Sequence, residues 1–206
     1  MRVPLFPLNL VLFPGVLLPL HIFEERYRLM LQEVLDRDEL FAIVRKTRTH
    51  QEDIGCLARV ETVAKEYDDG RSDILTTGTD RFRINEVYND KPYLTADIEI
   101  LEETDGAANN EELVRLQQST LGSLKDLFSL QKKQVNLDNL KNKTPRELSY
   151  TIAGLDIFSI QAKQHLLQSP TVAARLYTIM QFLEEQTEKV KAIVRLQEVL
   201  GTEQDV

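Results

Sequence analysis

The opening of the chain is almost wholly apolar, and prolines divide it into short pieces. Pro4, Pro7, Pro14 and Pro19 interrupt the run. Proline fixes φ, lacks an N–H and pushes the preceding residue into an extended conformation. The pattern therefore predicts short buried strands joined by tight corners. It disfavours a secretion signal or a membrane span, because both need an unbroken apolar run.

After Phe23 the apolar positions change to a helical period. A helix is predicted over residues 24–37, with Glu24 and Glu25 in the first turn, where the helix dipole favours acidic side chains. The apolar positions of this helix are Tyr27, Met30, Leu31, Val34 and Leu35.

Alternation of apolar and polar residues predicts strands in most of the region that follows. The predicted strands cover 40–46, 55–67, 73–79, 81–88 and a segment from Tyr93 to Ile100. Asp68, Asp69 and Gly70 supply turn chemistry for a hairpin. The last strand alternates most cleanly, which is typical of a sheet packed on one face and solvated on the other. Together these elements predict a curled, mostly antiparallel sheet with one inserted helix.

Beyond a polar, turn-rich stretch at 102–110, the pattern is helical. A stripe from Leu113 to Leu127 predicts one helix, and Thr144-Pro145-Arg146-Glu147 is a capping box that starts another. Ser159 is a candidate cap for a short helix, and a long helix is predicted from Thr171 to about Leu200. The sequence thus predicts an α+β protein with a β-rich domain at 1–103 and a helical bundle at 111–206.

Charge and cysteine content narrow the possible partners and compartments. The net charge is −8, and residues 1–103 hold 13 Lys and Arg against 20 Asp and Glu. This balance argues against a nucleic acid or an anionic membrane as the main partner. Cys56 is the only cysteine, so no intrachain disulfide can form. We expect a buried, inert thiol and a reducing compartment, either the cytoplasm or an organellar matrix or stroma.

The residue types that carry catalysis do not form a recognisable motif. The chain has neither a phosphate-binding glycine loop nor a dinucleotide-binding fingerprint. His21, His50 and His165 lie in separate regions without metal-site spacing, and we interpret His21 as a hydrogen-bonded structural residue. The acids around Gly70 fit a solvated hairpin tip better than a calcium loop. The sequence therefore predicts no catalytic residue, no metal and no cofactor.

The apolar opening contains more large residues than one buried face of short strands needs. Phe13, Pro14, Phe23 and Tyr27 are the candidate partner-binding residues. They have two interpretations: they line a groove for an extended polypeptide, or they complete the core. A groove of this kind needs apolar pockets beside free strand edges.

Particular motifs of the chain resemble a known family. The segments are Val3-Pro4-Leu5-Phe6-Pro7-Leu8, Leu12-Phe13-Pro14-Gly15, Leu18-Pro19-Leu20-His21-Ile22-Phe23-Glu24, Arg26-Tyr27, Ile54-Gly55-Cys56-Leu57-Ala58 and Gly78-Thr79-Asp80-Arg81-Phe82-Arg83-Ile84. In this order they resemble the N-terminal, substrate-binding domain of Lon proteases, above all its free-standing versions. The resemblance is strong over residues 1–103 and looser over the helical remainder.

The resemblance implies a PUA-like, β-rich pseudo-barrel followed by a helical bundle. In full-length Lon the bundle leads by a long helix into ATPase and Ser-Lys protease modules. Our sequence ends at Val206 and has no positions that match their catalytic residues. We therefore expect a non-enzymatic module that recognises an unfolded or client polypeptide, as an adaptor or regulator linked to proteolysis.

Two other functions stay open at this point, and so does self-association. PUA-like folds can bind RNA, and Arg45, Lys46 and Arg48 form a small basic cluster. An enzyme with an unrecognised site would show a pocket of titratable groups with strongly shifted pKa values. A homo-oligomer is compatible with the sequence.

Overall fold

The chain folds into two compact units, and the first is discontinuous in sequence. The computed structural model describes residues 1–106, 108–133 and 137–202, with side chains up to residue 196. One unit comprises Met1–Glu102 and Tyr150–Gln168, and the other comprises Glu103–Ser149 and the chain from Ser169. The division into domains at 1–103 and 111–206 stays a prediction. Local sequence patterns gave no indication that residues 150–168 belong to the first unit. Ala107, within the predicted boundary, and residues 203–206 lie outside the described residues.

The first unit is built on six strands and one inserted helix. These are β1 (Arg2–Leu8), β2 (Leu17–Ile22), α1 (Glu25–Arg37), β3 (Phe41–Arg45), β4 (Ile54–Glu66), β5 (Ser72–Tyr88) and β6 (Leu94–Ile100). The strand order is β2-β5-β4-β3-β1-β6, and β5 also pairs with β6. Every pair is antiparallel except β1–β3. This curled sheet with one inserted helix confirms the predicted α+β architecture.

β5 is a single strand of 17 residues, where the sequence predicted two shorter ones. Its first part pairs with β2, from Ser72 to Thr77, and its last part pairs with β6, from Phe82 to Tyr88. β4 pairs with both parts of β5. Strands β5, β4, β3, β1 and β6 therefore close a ring, and β2 is an additional strand outside it.

β5 changes partner near Gly78, where the chain before β2 comes very close. The Gly78 N–H donates to the Val16 carbonyl at 3.1 Å, and the Gly78 carbonyl accepts from the Gly15 N–H at 2.8 Å. A Cβ at position 78 would overlap the Phe13 carbonyl. Only glycine permits this close approach of two backbones.

The ring has two apolar clusters, because alternate residues of its strands point to opposite faces. The inner cluster contains Val3, Leu5, Ala42, Val44, Leu57, Phe82, Ala96 and Ile98. The outer cluster includes Phe6, Phe41, Ile43, Cys56 and Ala58, with Tyr27, Met30, Leu31 and Val34 of α1 packed on them. Cys56 is completely buried, and its burial raises the pKa of the thiol. The burial of this thiol, expected from the sequence, is confirmed, and the raised pKa is consistent with low reactivity.

Because the sheet closes into a ring, some side chains that the alternation had predicted to face solvent are buried. Thr95 is buried and accepts a hydrogen bond from Arg2 Nε at 3.1 Å. Arg81 is also buried and donates to the Leu167 carbonyl at 2.9 Å. Ile100, predicted to face the core, is 39% exposed at the end of β6. The one-sided packing predicted for this strand was therefore wrong in detail.

Of the five remaining helices in the described residues, four begin and end close to the predicted signals, and the short helix that begins at Asp138 was not predicted. They are α2 (Asn110–Leu130), α3 (Asp138–Lys141), α4 (Pro145–Ala153), α5 (Ile160–Gln168) and α6 (Val172–Thr202). The capping box of α4 is formed: the Thr144 N–H donates to Glu147 Oε2 at 2.8 Å, and the Glu147 N–H donates to Thr144 Oγ1 at 3.3 Å. Ser159 Oγ accepts from the Ala162 N–H at 3.2 Å at the start of α5.

Within the second unit, α2 and α6 share an apolar cluster of Leu113, Leu116, Val172 and Leu176. The 31 residues of α6 correspond to about 45 Å of helix. Burial along α6 extends to Leu183, whereas Ile193 and Leu196 are 54% and 61% exposed. The long final helix predicted from the sequence is confirmed.

Two glycine substitutions test the close approach at Gly78. We expect Gly78→Ala to destabilise the protein by about 1–3 kcal/mol, since the new Cβ forces the backbone of β5 away from Phe13. Gly122→Ala on the exposed side of α2 is the matched control, because its Cβ would meet open space. The control should gain about 0.5–1 kcal/mol from helix propensity. Urea unfolding followed by circular dichroism measures both, and an unfolding midpoint for Gly78→Ala equal to that of the parent would contradict the packing described.

Candidate functional site

A row of exposed side chains that includes two large apolar residues runs along β2 in the first unit. Within the described residues, β5 is the only strand paired with β2, so one edge of β2 is free. Ile22 is buried in the outer cluster, with Leu18 and Leu20 packed against it. The alternate positions face solvent. We call Leu17, Pro19, His21 and Phe23 the β2 strip; Leu17 is 59% exposed and Phe23 is 60% exposed.

A pocket of about 350 Å³ lies at the start of β2. One wall comes from the segment that leads into β2, with Leu10, Val16 and Leu17, and the other comes from residues 154–163, with Phe158 and Lys163. All of these residues belong to the first unit. The lining is mainly apolar, which suits an apolar side chain of a ligand. We call this cavity the β2 pocket.

Lys163 and Asp156 bring a charge pair to the lining of the β2 pocket. Lys163 Nζ donates to the Gly154 carbonyl at 2.9 Å and lies 3.3 Å from Asp156 Oδ1. The Lys163 side chain is only 17% exposed, whereas Asp156 is fully exposed. An ammonium has three N–H donors, so Lys163 can donate one further hydrogen bond to a carbonyl oxygen at the pocket.

The other end of the β2 strip is held by a polar cluster. His21 Nδ1 lies 2.5 Å from Asp73 Oδ1, and the Tyr67 hydroxyl donates to Asp73 Oδ2 at 2.7 Å. The His21 bond, followed by the Tyr67 bond, lowers the pKa of Asp73. The Phe23 ring stacks on His21 at a centroid distance of 5.9 Å. The cluster therefore orients an exposed aromatic ring, and His21 is hydrogen-bonded as the sequence predicted.

The structure places the predicted partner-binding residues in different environments. Phe13 is completely buried, with its ring 6.2 Å from that of Tyr150. Tyr27 is 8% exposed and packs on Phe6 with ring centroids 4.2 Å apart. Pro14 is partly buried and forms a bridge with Gly78. Of the four, Phe23 presents the largest surface to solvent, and a partner-binding role for this set stays a prediction.

Sequence reasoning missed Leu17, Phe158 and Lys163. The alternation of Leu17, Pro19 and His21 was a usable signal, because period 2 places them on the face opposite Leu18 and Leu20. No local signal joined Phe158 and Lys163 to β2, since these residues lie far apart along the chain.

A second cavity, of about 200 Å³, is polar and contains Arg2, Glu33, Lys91 and Tyr93. Lys91 Nζ donates to Glu33 Oε2 at 2.6 Å and to the Tyr93 hydroxyl at 2.9 Å. The Lys91 bond lowers the pKa of Glu33, and the same bond raises the pKa of Lys91. Both shifts favour the charged forms at neutral pH, so neither group is poised for proton transfer. This cavity gives no support to an enzyme function.

The basic cluster proposed for RNA is partly neutralised. Arg45 Nη1 bonds to Glu52 Oε1 at 3.0 Å, and the Arg45 side chain is only 10% exposed. Lys46 and Arg48 remain exposed. One partly buried ion pair and two separate cations make a poor surface for a polyphosphate backbone.

The described part of the chain contains no group of three or more His, Cys, Asp or Glu side chains that could hold a metal ion. In the same part, no helix is both long enough and apolar enough to cross a bilayer.

Comparison with known families decides what kind of domain carries the β2 strip. The model described as "ATP-dependent protease La (LON) substrate-binding domain" matches residues 2–185. The chain belongs to this family. The resemblance drawn from the opening motifs is therefore confirmed, and it extends through most of the helical region.

Curated relatives are full Lon proteases of low identity. Lon protease 2 of Syntrophobacter fumaroxidans is 24% identical over 200 residues, which cover 92% of this chain and 25% of the relative. The Lon protease of Parabacteroides distasonis is 28% identical over 159 residues, which cover 73% of this chain and 18% of the relative. The chain spans about a quarter or less of the length of these relatives.

Solved structures show the same fold. A Lon N-terminal domain protein from Xanthomonas campestris has a TM-score of 0.67 at 22% identity, covering 87% of this chain and 97% of that one. The N-terminal domain of the Mycobacterium avium complex Lon protease has a TM-score of 0.73 at 16% identity, covering 89% of this chain and 98% of that one.

The Glu33–Lys91 pair yields a prediction for the dependence of stability on pH. The lowered pKa of Glu33 means that its contribution is present above the ordinary value of 4.5 and is lost as pH falls through the lower, folded-state pKa. Glu33→Gln should cost about 1 kcal/mol or less at pH 7, because the pair is partly exposed.

Urea unfolding of the parent and of Glu33→Gln at pH 7 and pH 3 measures this difference. The difference in free energy of unfolding between the parent and Glu33→Gln should be smaller at pH 3 than at pH 7. Glu61→Gln, at an exposed position of β4, is the control and should match the parent at both values. A larger difference in free energy of unfolding at pH 3 than at pH 7 would contradict a stabilising role for the charged Glu33.

Proposed function

We propose that this chain is a non-enzymatic recognition module that binds unfolded or client polypeptide through the β2 strip and the β2 pocket. The support is an exposed apolar edge next to an apolar pocket, in a member of a substrate-binding domain family. Its role in the cell is that of an adaptor or regulator linked to proteolysis.

The observation that carries the proposal is the exposure of Leu17 and Phe23 in the β2 strip, next to the free edge of β2. Unfolded polypeptides expose apolar side chains that folded proteins bury. Covering a large apolar side chain stabilises a complex by about 1.5–3 kcal/mol. The strip and the pocket together offer several such contacts, so a moderate affinity follows without a reactive group.

The first experiment compares unfolded and folded forms of one protein. We expect the chain to bind fluorescently labelled lactalbumin that has been reduced and carbamidomethylated, which blocks its thiols without adding charge, and to ignore the native, disulfide-bonded form. Fluorescence anisotropy measures both affinities. Equal affinity for the two forms, or binding to neither, would contradict the proposal.

Surface variants then locate the binding site. The double variant Leu17→Ser, Phe23→Ser should bind the unfolded lactalbumin about tenfold or more weakly, because two apolar contacts are lost. Leu29→Ser, Leu35→Ser is the matched control, since these leucines of α1 are 42% and 41% exposed in the same unit. Circular dichroism checks that both variants fold. An equal loss of binding in the control would show that the β2 strip is not the site.

A further inference from the structure

We propose that the client is held as an added β-strand along the free edge of β2, with one of its apolar side chains in the β2 pocket. This inference rests on the proposed function and names its binding mode. The occupant is an extended internal segment of polypeptide, rich in apolar side chains and poor in acidic ones.

The main-chain N–H and C=O groups of β2 point alternately toward β5 and toward the free edge. The Val16 carbonyl accepts from the Gly78 N–H, and the Leu18 carbonyl accepts from Thr76 Oγ1 at 2.8 Å. Both carbonyls therefore face β5. In an antiparallel pair, successive residues turn their N–H and C=O groups to opposite sides. Leu17, Pro19 and His21 accordingly direct theirs to the free edge.

The free edge of β2 offers a defined pattern of hydrogen-bond donors and acceptors. Leu17 and His21 each present an N–H and a C=O, and they lie about 13 Å apart along the strand. Between them Pro19 presents a carbonyl alone, because proline has no N–H. An extended chain can pair at Leu17 and His21 and donate one N–H to Pro19. The missing donor also weakens pairing of two copies of this edge.

The side chains of the added strand would contact the β2 strip and the β2 pocket. Those on the exposed face would lie about 4.5–5.5 Å from their β2 neighbours, close enough to cover Leu17 and Pro19. The β2 pocket, at the Leu17 end, offers a site for one apolar side chain, and Lys163 can bond a client carbonyl there. An amphipathic helix would leave the outward groups of Leu17 and His21 unpaired, so the edge favours an extended client.

The charge of the first 103 residues further limits which polypeptide segments can be clients. Residues 1–103 have 20 acidic against 13 basic side chains, and this excess repels acidic segments. The chemistry is therefore that of an apolar, extended segment with neutral or basic flanks.

Scanning N-methylation of a client peptide tests the strand directly. The probe is a nine-residue peptide copied from the segment of carbamidomethylated lactalbumin that crosslinks to the chain. N-methylation removes one N–H and keeps the side chain. We expect methylation at alternate positions to weaken binding about fivefold or more, and methylation at the intervening positions to have little effect. A parallel alanine scan should show one dominant apolar position, which is the side chain in the β2 pocket.

The outcomes separate this inference from the function on which it rests. A flat N-methylation profile, in a peptide whose binding still needs Leu17 and Phe23, would overturn strand addition and leave client recognition standing. Loss of binding at every third or fourth alanine would indicate a bound helix and would also overturn it. If neither the unfolded lactalbumin nor the peptide binds, the proposed function fails together with the inference.

Discussion

The long strand β5 is the constraint on which the first unit depends. Its last part pairs with β6 and closes the ring, while its first part carries β2. The change of partner occurs where Gly78 meets the backbone of Phe13 and Val16. Because β4 and β2 flank the first part of β5, β2 joins the sheet outside the ring. The free edge of β2 thus follows from the way the ring is closed.

An open edge beside exposed apolar side chains is a liability for a protein in isolation, since it can template aggregation. Pro19 limits this tendency by removing one donor from the middle of the edge. The cluster of His21, Asp73 and Tyr67 keeps the far end polar and ordered. Among the described strands, none pairs with the outer edge of β2, and Pro19 blocks this edge only in part. This arrangement suits the proposed recognition of unfolded chains.

Local patterns predicted much of the fold, because the interactions that produce them are local. The Thr144–Glu147 capping box and the hairpin turn at Gly70, whose φ is +82°, depend on neighbouring residues. The continuity of β5 and the burial of Arg81 depend on ring closure and on a carbonyl of α5. These effects arise between segments far apart in sequence, where alternation carries no information.

The environments of the candidate site residues also depend on both local and distant contacts. The apolar surplus in the opening segment was visible in the sequence, and it includes Phe23. Which residues are covered depends on contacts such as Phe13 with Tyr150, and these could not be inferred from the opening alone. The walls of the β2 pocket at 154–163 were hidden for the same reason.

The most direct test of the central claim is hydrogen–deuterium exchange of the whole chain, with and without reduced and carbamidomethylated lactalbumin. The outward N–H groups of Leu17 and His21 should exchange rapidly in the free protein and slowly in the complex. Peptides covering β2 and residues 154–163 should show the largest protection. Unchanged exchange in β2, with protection confined to the exposed end of α6, would contradict the account.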